Sequence, residues 1–305
     1  MFDMTSQFDS DFTGDASALD SPHAQAALRS DSDLQRAEGS GRVVLRGSEN
    51  GNRIVDLFQR TPIRIMFPRG SAGAIEEAVF INTGGGIAGG DRLESSVTAL
   101  AGASIAATSQ TAERVYRALN RPACVATKLK VLESGKLAWL PQETILYNRA
   151  RLTRETEVEL VSGAELLALE WLVLGRAAHG EEVVGGQIAD RWRVKKDGRL
   201  IWADSFRAEE ATFRHLHKKA LLSNCKAFGT LIYFGPDMQA RLEFLRVLTS
   251  SLRCHCAATS VGGLIVVRFA AEFELVLRLA LRGLLEQLGR ELAPGPFGVP
   301  KMWSC

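Results

Sequence analysis

Two short clusters in the sequence carry the side chains best suited to bind a transition metal. Cys254, His255 and Cys256 are consecutive, and His215 and His217 are separated by one residue. Thiolates and imidazoles are ligands for zinc, copper and related ions. Successive side chains of a helix diverge by about 100°, so Cys254 and Cys256 can face one ion only from a strand or a turn. A Cys/His metalloenzyme is therefore one hypothesis, and small buried thiols with solvated histidines are the commoner alternative.

The glycine-rich stretch Phe80–Leu93, which reads FINTGGGIAGGDRL, suggests phosphate binding as a second possible chemistry. Gly84, Gly86 and Gly89 match the dinucleotide pattern G-x-G-x-x-G, which requires that the loop open a helix. The residues that follow, Glu94–Gly102, show no helical apolar spacing, and no Lys-Ser or Lys-Thr pair completes a P-loop. We therefore predict a structural loop between strands, and a nucleotide-binding enzyme that uses Gly84–Gly90 is the alternative.

Signatures of common hydrolases and of cysteine-pair metal sites do not occur in the sequence. It contains no G-x-S-x-G, no H-E-x-x-H and no C-x-x-C. His179 lies in a glycine-bounded segment beside Glu181, and this context makes it a candidate functional residue. The remaining carboxylates are numerous, and their sequence positions alone do not indicate which of them converge.

The elements that must position these residues are mostly strands. The chain has 305 residues, 46% hydrophobic and 24% charged, with a net charge of +2 that argues neither for nor against nucleic acid. Across residues 41–234, turn signals separate short β-prone runs, and Thr156, Val158 and Leu160 alternate with glutamates. We predict a mainly β body of stacked sheets, resembling a β-helix or a sandwich.

Residues 235–293 predict a helix, a hairpin and a second helix. Asp237 is a candidate N-cap, and leucines recur at helical spacing after it. Gly262-Gly263 mark the hairpin turn, and a second leucine stripe from Leu277 to Leu292 ends before Pro294. Two amphipathic helices should therefore pack on the β body, followed by a short tail over residues 294–305.

The first forty residues differ in composition from the rest. They contain eight acidic residues and two arginines with few large apolar side chains, which predicts a disordered acidic tail before a single domain over residues 41–305. The sequence shows no secretory signal and no uninterrupted apolar run long enough to span a membrane. The odd number of cysteines, five, does not suggest a disulfide framework, so we expect a cytoplasmic location.

Several motifs follow one another in a fixed order from about residue 40 to the C-terminus. They are T-x-G-G-x-x-x-G-D-x-L with one extra glycine (Thr83–Leu93), T-T-Q-x-A-x-K-V-Y (Thr108–Tyr116), L-x-W-L-P-Q-E-T-I (Leu137–Ile145), L-G-R-x-x-x-G-E (Leu174–Glu181) and P-x-x-W (Pro300–Trp303). Ser109 and Arg114 are mild departures from the second motif. The set closely resembles the urease accessory protein family UreD, also called UreH.

This resemblance implies a mainly β protein with two helices near the C-terminus and no catalytic activity of its own. Members of the family act with UreF and the GTPase UreG as a chaperone complex on the urease apoprotein. The complex helps to insert nickel into the dinuclear urease site, and an internal passage in the UreD component is a proposed nickel route. The resemblance therefore implies transient nickel and no tightly bound cofactor, with neither nucleic acid nor membrane as a partner.

A nickel route requires ligands that release the ion, such as carboxylates, carbonyls, water and an occasional imidazole. From the matched motifs we predict that Glu143, Glu170, His179 and Glu181 contribute to such a route. The residues expected to hold its walls, to form structural ion pairs or to contact a partner are Gly84, Gly85, Gly89, Gly90, Asp91, Arg92, Tyr116 and Arg176.

Overall fold

The computed structural model describes residues 36–49, 51–68 and 76–304, and this part of the chain is mainly β. Its strands are β1 (Glu38–Ser48), β2 (Gly51–Arg60), β3 (Ile63–Met66), β4 (Glu77–Asn82), β5 (Arg92–Ala99), β6 (Ser104–Ser109), β7 (Glu113–Val115), β8 (Ala123–Val131), β9 (Lys136–Trp139), β10 (Thr144–Leu146), β11 (Arg151–Leu160), β12 (Glu165–Leu174), β13 (Gln187–Lys196), β14 (Arg199–Ala208), β15 (Ala227–Phe234), β16 (His255–Val261) and β17 (Leu264–Ala271). The helices are α1 (Glu210–Phe213), α2 (Met238–Ser251) and α3 (Glu274–Glu291), with 3₁₀ turns at Ala177–His179 and Lys301–Ser304.

The strands form two sheets between which the chain alternates. Sheet A has the order β14-β13-β11-β8-β5-β1-β2, and sheet B has the order β16-β17-β15-β12-β9-β6-β4-β3. In addition, β10 pairs with β12, and β7 pairs with β10. The central strands of both sheets are parallel, and antiparallel strands occupy the ends. Through the parallel centre of the two sheets, the chain alternates between them and adds strands to each in turn. This solenoid-like arrangement confirms the predicted body of stacked sheets.

Residues in register on sheet A form rows that point into the space between the sheets. Val97, Leu129, Val158 and Val194 make one such row, and all four are buried. The alternation of apolar and polar residues predicts this arrangement, because successive strand side chains point to opposite faces. The outer positions of β11 carry glutamates instead, and Glu159 pairs with Lys130 on β8 at 3.0 Å.

The opposite face of sheet B is covered by α2 and α3, as the leucine stripes predict. Leu245 of α2 and Leu277, Leu281 and Leu285 of α3 are fully buried in a second core that also contains residues of β12, β15 and β17. Asp237 occupies the N-cap position of α2. The predicted N-cap position is therefore confirmed, but the residue has a left-handed backbone (φ 53°), and its side chain makes no capping hydrogen bond in the described structure.

The two ends of the chain depart from the predicted boundaries in different ways. β1 begins at Glu38, within the segment assigned to the acidic tail, and residues 1–35 lie outside the described residues. The C-terminal segment packs into the second core, where Phe297 and Trp303 are buried and Trp303 Nε1 donates to the Leu140 carbonyl at 3.0 Å. In the described part of the chain, no helix is long and apolar enough to cross a membrane.

Candidate functional site

The glycine-rich loop connects two strands, β4 and β5, and does not open a helix. Gly85 has φ +74°, and its carbonyl accepts a 2.6 Å hydrogen bond from the Tyr116 hydroxyl. Gly86 has φ +151°, and a Cβ there would lie 2.5 Å from the Tyr116 ring. The loop is therefore a structural turn fitted around Tyr116, as predicted, and it lacks the helix terminus that receives a pyrophosphate.

Asp91 closes the glycine-rich loop from its C-terminal side. Its carboxylate accepts hydrogen bonds from the backbone N–H groups of Ala37 at 2.9 Å and Ala88 at 2.7 Å. Asp91 is buried, so these bonds hold the loop against the start of β1. The adjacent Arg92 is exposed on the outer face of sheet A, where it lines a broad surface groove and does not face the space between the sheets.

Arg176 and Glu181 form an ion pair that is linked to the glycine-rich loop through Tyr147 and Tyr116. Arg176 Nε lies 2.9 Å from Glu181 Oε2, and its guanidinium lies 4.1 Å from the centre of the Tyr147 ring. Tyr147 in turn meets Tyr116 edge-on at 5.3 Å. The hydrogen bond from Arg176 lowers the pKa of Glu181. His179, at the end of the short 3₁₀ turn, is exposed.

Glu143 lies on the helix side of sheet B. Its carboxylate is 2% exposed and pairs with Arg278 of α3, whose Nη1 also donates to Gln142 Oε1 at 3.3 Å. The guanidinium lies 5.7 Å from the centre of the Trp171 ring. Burial raises the pKa of Glu143, and the positive charge of Arg278 opposes that effect. This pair fastens the first turns of α3 to the β body.

Glu170 lies between the two sheets, where it meets a buried arginine from sheet A. Arg154 Nη1 donates to Glu170 Oε2 at 2.7 Å, and Trp139 Nε1 donates to Glu170 Oε1 at 2.9 Å. Arg154 also forms a bidentate ion pair with Asp190, with Nε–Oδ1 and Nη2–Oδ2 distances of 2.9 and 2.7 Å. Arg154 and Asp190 are register partners on β11 and β13. Strand pairing therefore places them side by side, opposite Glu170.

Two cavities between the sheets meet at this cluster. We call the first the loop-side cavity, because it extends toward the glycine loop; it measures about 80 Å³, and its polar lining includes Asn82, Ser95, Glu113, Thr127, Arg154 and Glu170. The second, the hairpin-side cavity, lies toward β13 and β14; it measures about 170 Å³, and its polar lining includes Arg154, Glu170, Asp190, Asp204, Thr230 and Arg268. Arg154 and Glu170 line both cavities.

Most of the residues predicted for a nickel route do not come together. Of Glu143, Glu170, His179 and Glu181, only Glu170 lines the two cavities between the sheets. Glu181 lines a separate surface pocket beside α1. The interior cluster is built instead around Arg154, which pairs with Glu170 and with Asp190, and neither Arg154 nor Asp190 belongs to the matched motifs.

The sequence prediction missed Arg154 and Asp190, although a signal for both is present. Arg154 has the same strand parity as Thr156 and Val158, which the alternation places inside, and Asp190 has the same parity as Trp192. A charged residue on the apolar side of an alternating strand indicates a buried polar site, because an unpaired charge there is strongly disfavoured.

The cysteine and histidine clusters do not form a metal centre in the described structure. Cys254 and Cys256 are half-buried, and His255 between them is exposed. Burial, together with the neighbouring Cys256 and Cys225, raises the pKa of Cys254 to about 12, so its thiol stays protonated. Among the described residues, no three His, Cys, Asp or Glu side chains are grouped so that they could hold a metal ion.

Comparison with known sequences gives consistent matches over nearly the whole described chain. Residues 37–304 match the family described as UreD urease accessory protein. The urease accessory protein UreD of Rhizobium johnstonii is 41% identical over 270 residues, which cover 88% of this chain and 96% of that protein. Those of Chelativorans sp. and Brucella suis are each 38% identical, over 272 and 273 residues, and both cover 89% of this chain and 95% of the relative.

Proposed function

This chain belongs to the family of UreD urease accessory proteins, and on that premise we propose that it acts with UreF and the GTPase UreG on the urease apoprotein. Its contribution is to help deliver nickel to the dinuclear urease site, and it performs no reaction itself. GTP hydrolysis belongs to UreG. We propose the cytoplasm as the compartment, because the five cysteines of the sequence do not suggest a disulfide framework.

The observation that carries the nickel proposal is the pair of polar cavities inside the β body. Their charged and hydroxyl-bearing lining supplies carboxylate and alcohol oxygens from residues such as Glu113, Glu170, Asp204 and Thr230. Of the described residues that line them, none is a histidine or a cysteine. Oxygen ligands hold nickel more weakly than a thiolate and imidazole cage does, so they suit an ion in transit.

The net charge of the hairpin-side cavity also favours a cation. Glu170, Asp190 and Asp204 contribute three carboxylates to its lining, against the guanidinium groups of Arg154 and Arg268. Because the effective dielectric constant is lower inside a protein than in water, this surplus of negative charge attracts a divalent ion more strongly than it would at the surface.

The proposal is tested by expressing urease subunits with the other accessory proteins, with and without this chain. We expect urease purified without it to contain little nickel, and the intact chain to co-purify with urease and UreF. The readouts are nickel per urease active site and the composition of the purified complex. Fully nickel-loaded, active urease in the absence of this chain would refute the proposal.

A further inference from the structure

Arg154 occupies the boundary between the loop-side and hairpin-side cavities. Both of its carboxylate partners belong to the same cluster, Glu170 from sheet B and Asp190 from sheet A. Thr144 Oγ1 accepts a further bond from Arg154 Nη1 at 3.3 Å. The arginine side chain is only 3% exposed, and that of Glu170 only 6%. One planar cation therefore joins the two sheets at the point where the cavities meet.

The guanidinium does not balance the charge of this cluster by itself. Burial raises the pKa of Glu170, but the charge of Arg154 and the hydrogen bond from Trp139 oppose that effect and favour the ionised form. With Glu170 ionised, two carboxylates face one positive charge, so a divalent cation in the same place would neutralise both. Although burial lowers the pKa of Arg154, the charges of Asp190 and Glu170 raise it above its ordinary value. Arg154 therefore cannot vacate the position by losing its proton; the charged group has to move as a whole.

We propose that Arg154 is a gate for the cargo ion: its guanidinium holds the position between Glu170 and Asp190 that a divalent cation would occupy, and passage between the cavities requires its displacement. With Arg154 in place, the interior does not retain a divalent ion at this point, so the cluster passes metal on and does not store it. The gate rests on the proposed nickel route, but it can be measured on the purified chain without urease.

The test replaces the guanidinium by an uncharged side chain of similar length, in Arg154→Met. Nickel chloride is titrated into the purified full-length protein, and binding is followed by calorimetry. We expect the variant to bind one nickel ion about 100-fold or more tightly than the unaltered protein, because two buried carboxylates are left without their cation. Adding Glu170→Gln to Arg154→Met should abolish this gain.

Arg268→Met is the matched control. Arg268 lines the hairpin-side cavity and contacts Asp204 at 2.8 Å and Thr230 at 2.7 Å, but it does not lie between the cavities. Removing its charge also makes the cavity more negative, so nickel affinity should rise, but far less than in Arg154→Met. Only one carboxylate, Asp204, loses its cation, and the Arg268–Asp204 pair is partly exposed to solvent. The gate is refuted if a folded Arg154→Met binds nickel no more tightly than the unaltered protein, or if Arg268→Met gains an equal site.

If Arg154→Met does not fold, Arg154→Lys takes its place in the titration. The lysine ammonium retains the charge but cannot hydrogen-bond both carboxylates with the planar geometry of a guanidinium. The nickel affinity of Arg154→Lys should therefore lie between that of the unaltered protein and that expected for Arg154→Met. Affinity equal to that of the unaltered protein refutes the gate. Failure of the delivery proposal is recognised separately, because urease would then load nickel without this chain whatever the titrations show.

Discussion

At the scale of single residues, Glu113 in the loop-side cavity makes the stability of the protein depend on pH. Its carboxylate lines that cavity and accepts a hydrogen bond from Asn82 Nδ2 at 3.0 Å. Burial raises the pKa of Glu113 above its ordinary value of 4.5, and the Asn82 bond opposes this effect only in part. A carboxyl with a raised folded-state pKa stabilises the fold fully below its unfolded pKa, and this contribution is lost as pH rises through the folded pKa.

We therefore expect Glu113→Gln to raise the melting temperature at neutral pH by a few degrees. Its amide oxygen can still accept from Asn82, but it avoids burying a charge. Below about pH 4 both side chains are neutral, so the unaltered protein and Glu113→Gln should have the same melting temperature. Thermal melts across this pH range measure the effect. A melting difference that did not change with pH would contradict the assigned ionisation.

At the scale of elements, the glycine loop depends on its fit to Tyr116. In Gly86→Ala the new methyl group would collide with the Tyr116 ring, and we expect a loss of about 3 kcal/mol in unfolding free energy. Gly85→Ala is the control, since a Cβ at Gly85 meets open space and only its positive φ costs about 1 kcal/mol. Urea denaturation measures the unfolding free energy of both variants. Equal losses in Gly86→Ala and Gly85→Ala would show that Tyr116 does not constrain the loop.

The attachment of α3 depends on a buried ion pair. Arg278→Met leaves the Glu143 carboxylate without its cation, so we expect the unfolding free energy to fall by about 3 kcal/mol. Adding Glu143→Gln removes the unpaired charge and should restore much of this stability. Arg282→Met, on the same helix, removes an exposed pair with Glu286 and should cost less than about 0.5 kcal/mol. The measurement is the unfolding free energy of each variant. Equal losses in the two single variants would contradict a role for Glu143 in holding α3.

Much of the fold could be predicted from the sequence because local periodicity determines each element. The hairpin turn at Gly262-Gly263 and the leucine stripe of α3 lie where the pattern placed them. The alternation pattern does not identify β12 as a strand. Its residues Glu165–Leu174 form an almost continuous apolar run, which lacks the alternation of a half-exposed strand because both of its faces are covered.

The candidate site could be predicted less well, because register and not local sequence brings its members together. Arg154 and Asp190 are neighbours only through the pairing of β11 with β13, and Glu170 joins them from the other sheet. The matched motifs indicated Glu143 and Glu181 instead, and the structure shows these in ion pairs at the helix attachment and at the loop network. A motif identifies residues that matter to the family without distinguishing structural from transport roles.

At the scale of the whole molecule, polar cavities interrupt an otherwise apolar core between the two sheets. Thr127 and Ser95 are register partners on β8 and β5, and both line the loop-side cavity. Thr127 is only 3% exposed, whereas the next residue toward the N-terminus, Ala126, lines the groove on the outer face of sheet A. Adjacent positions of one strand therefore reach the interior and the exterior, which allows the proposed route to be blocked without altering the outer surface.

Thr127→Met should fill the loop-side cavity, and we expect a folded chain that still joins its complex but leaves urease with several-fold less nickel. The matched variant Ala126→Met adds the same side chain to the outer face and should support loading like the unaltered protein. Nickel per urease active site after co-expression is the readout, with thermal melting and co-purification as checks on folding and assembly. Normal loading by a well-folded Thr127→Met would exclude the loop-side cavity from the nickel route, because an extra side chain in an 80 Å³ space leaves no path for a hydrated ion.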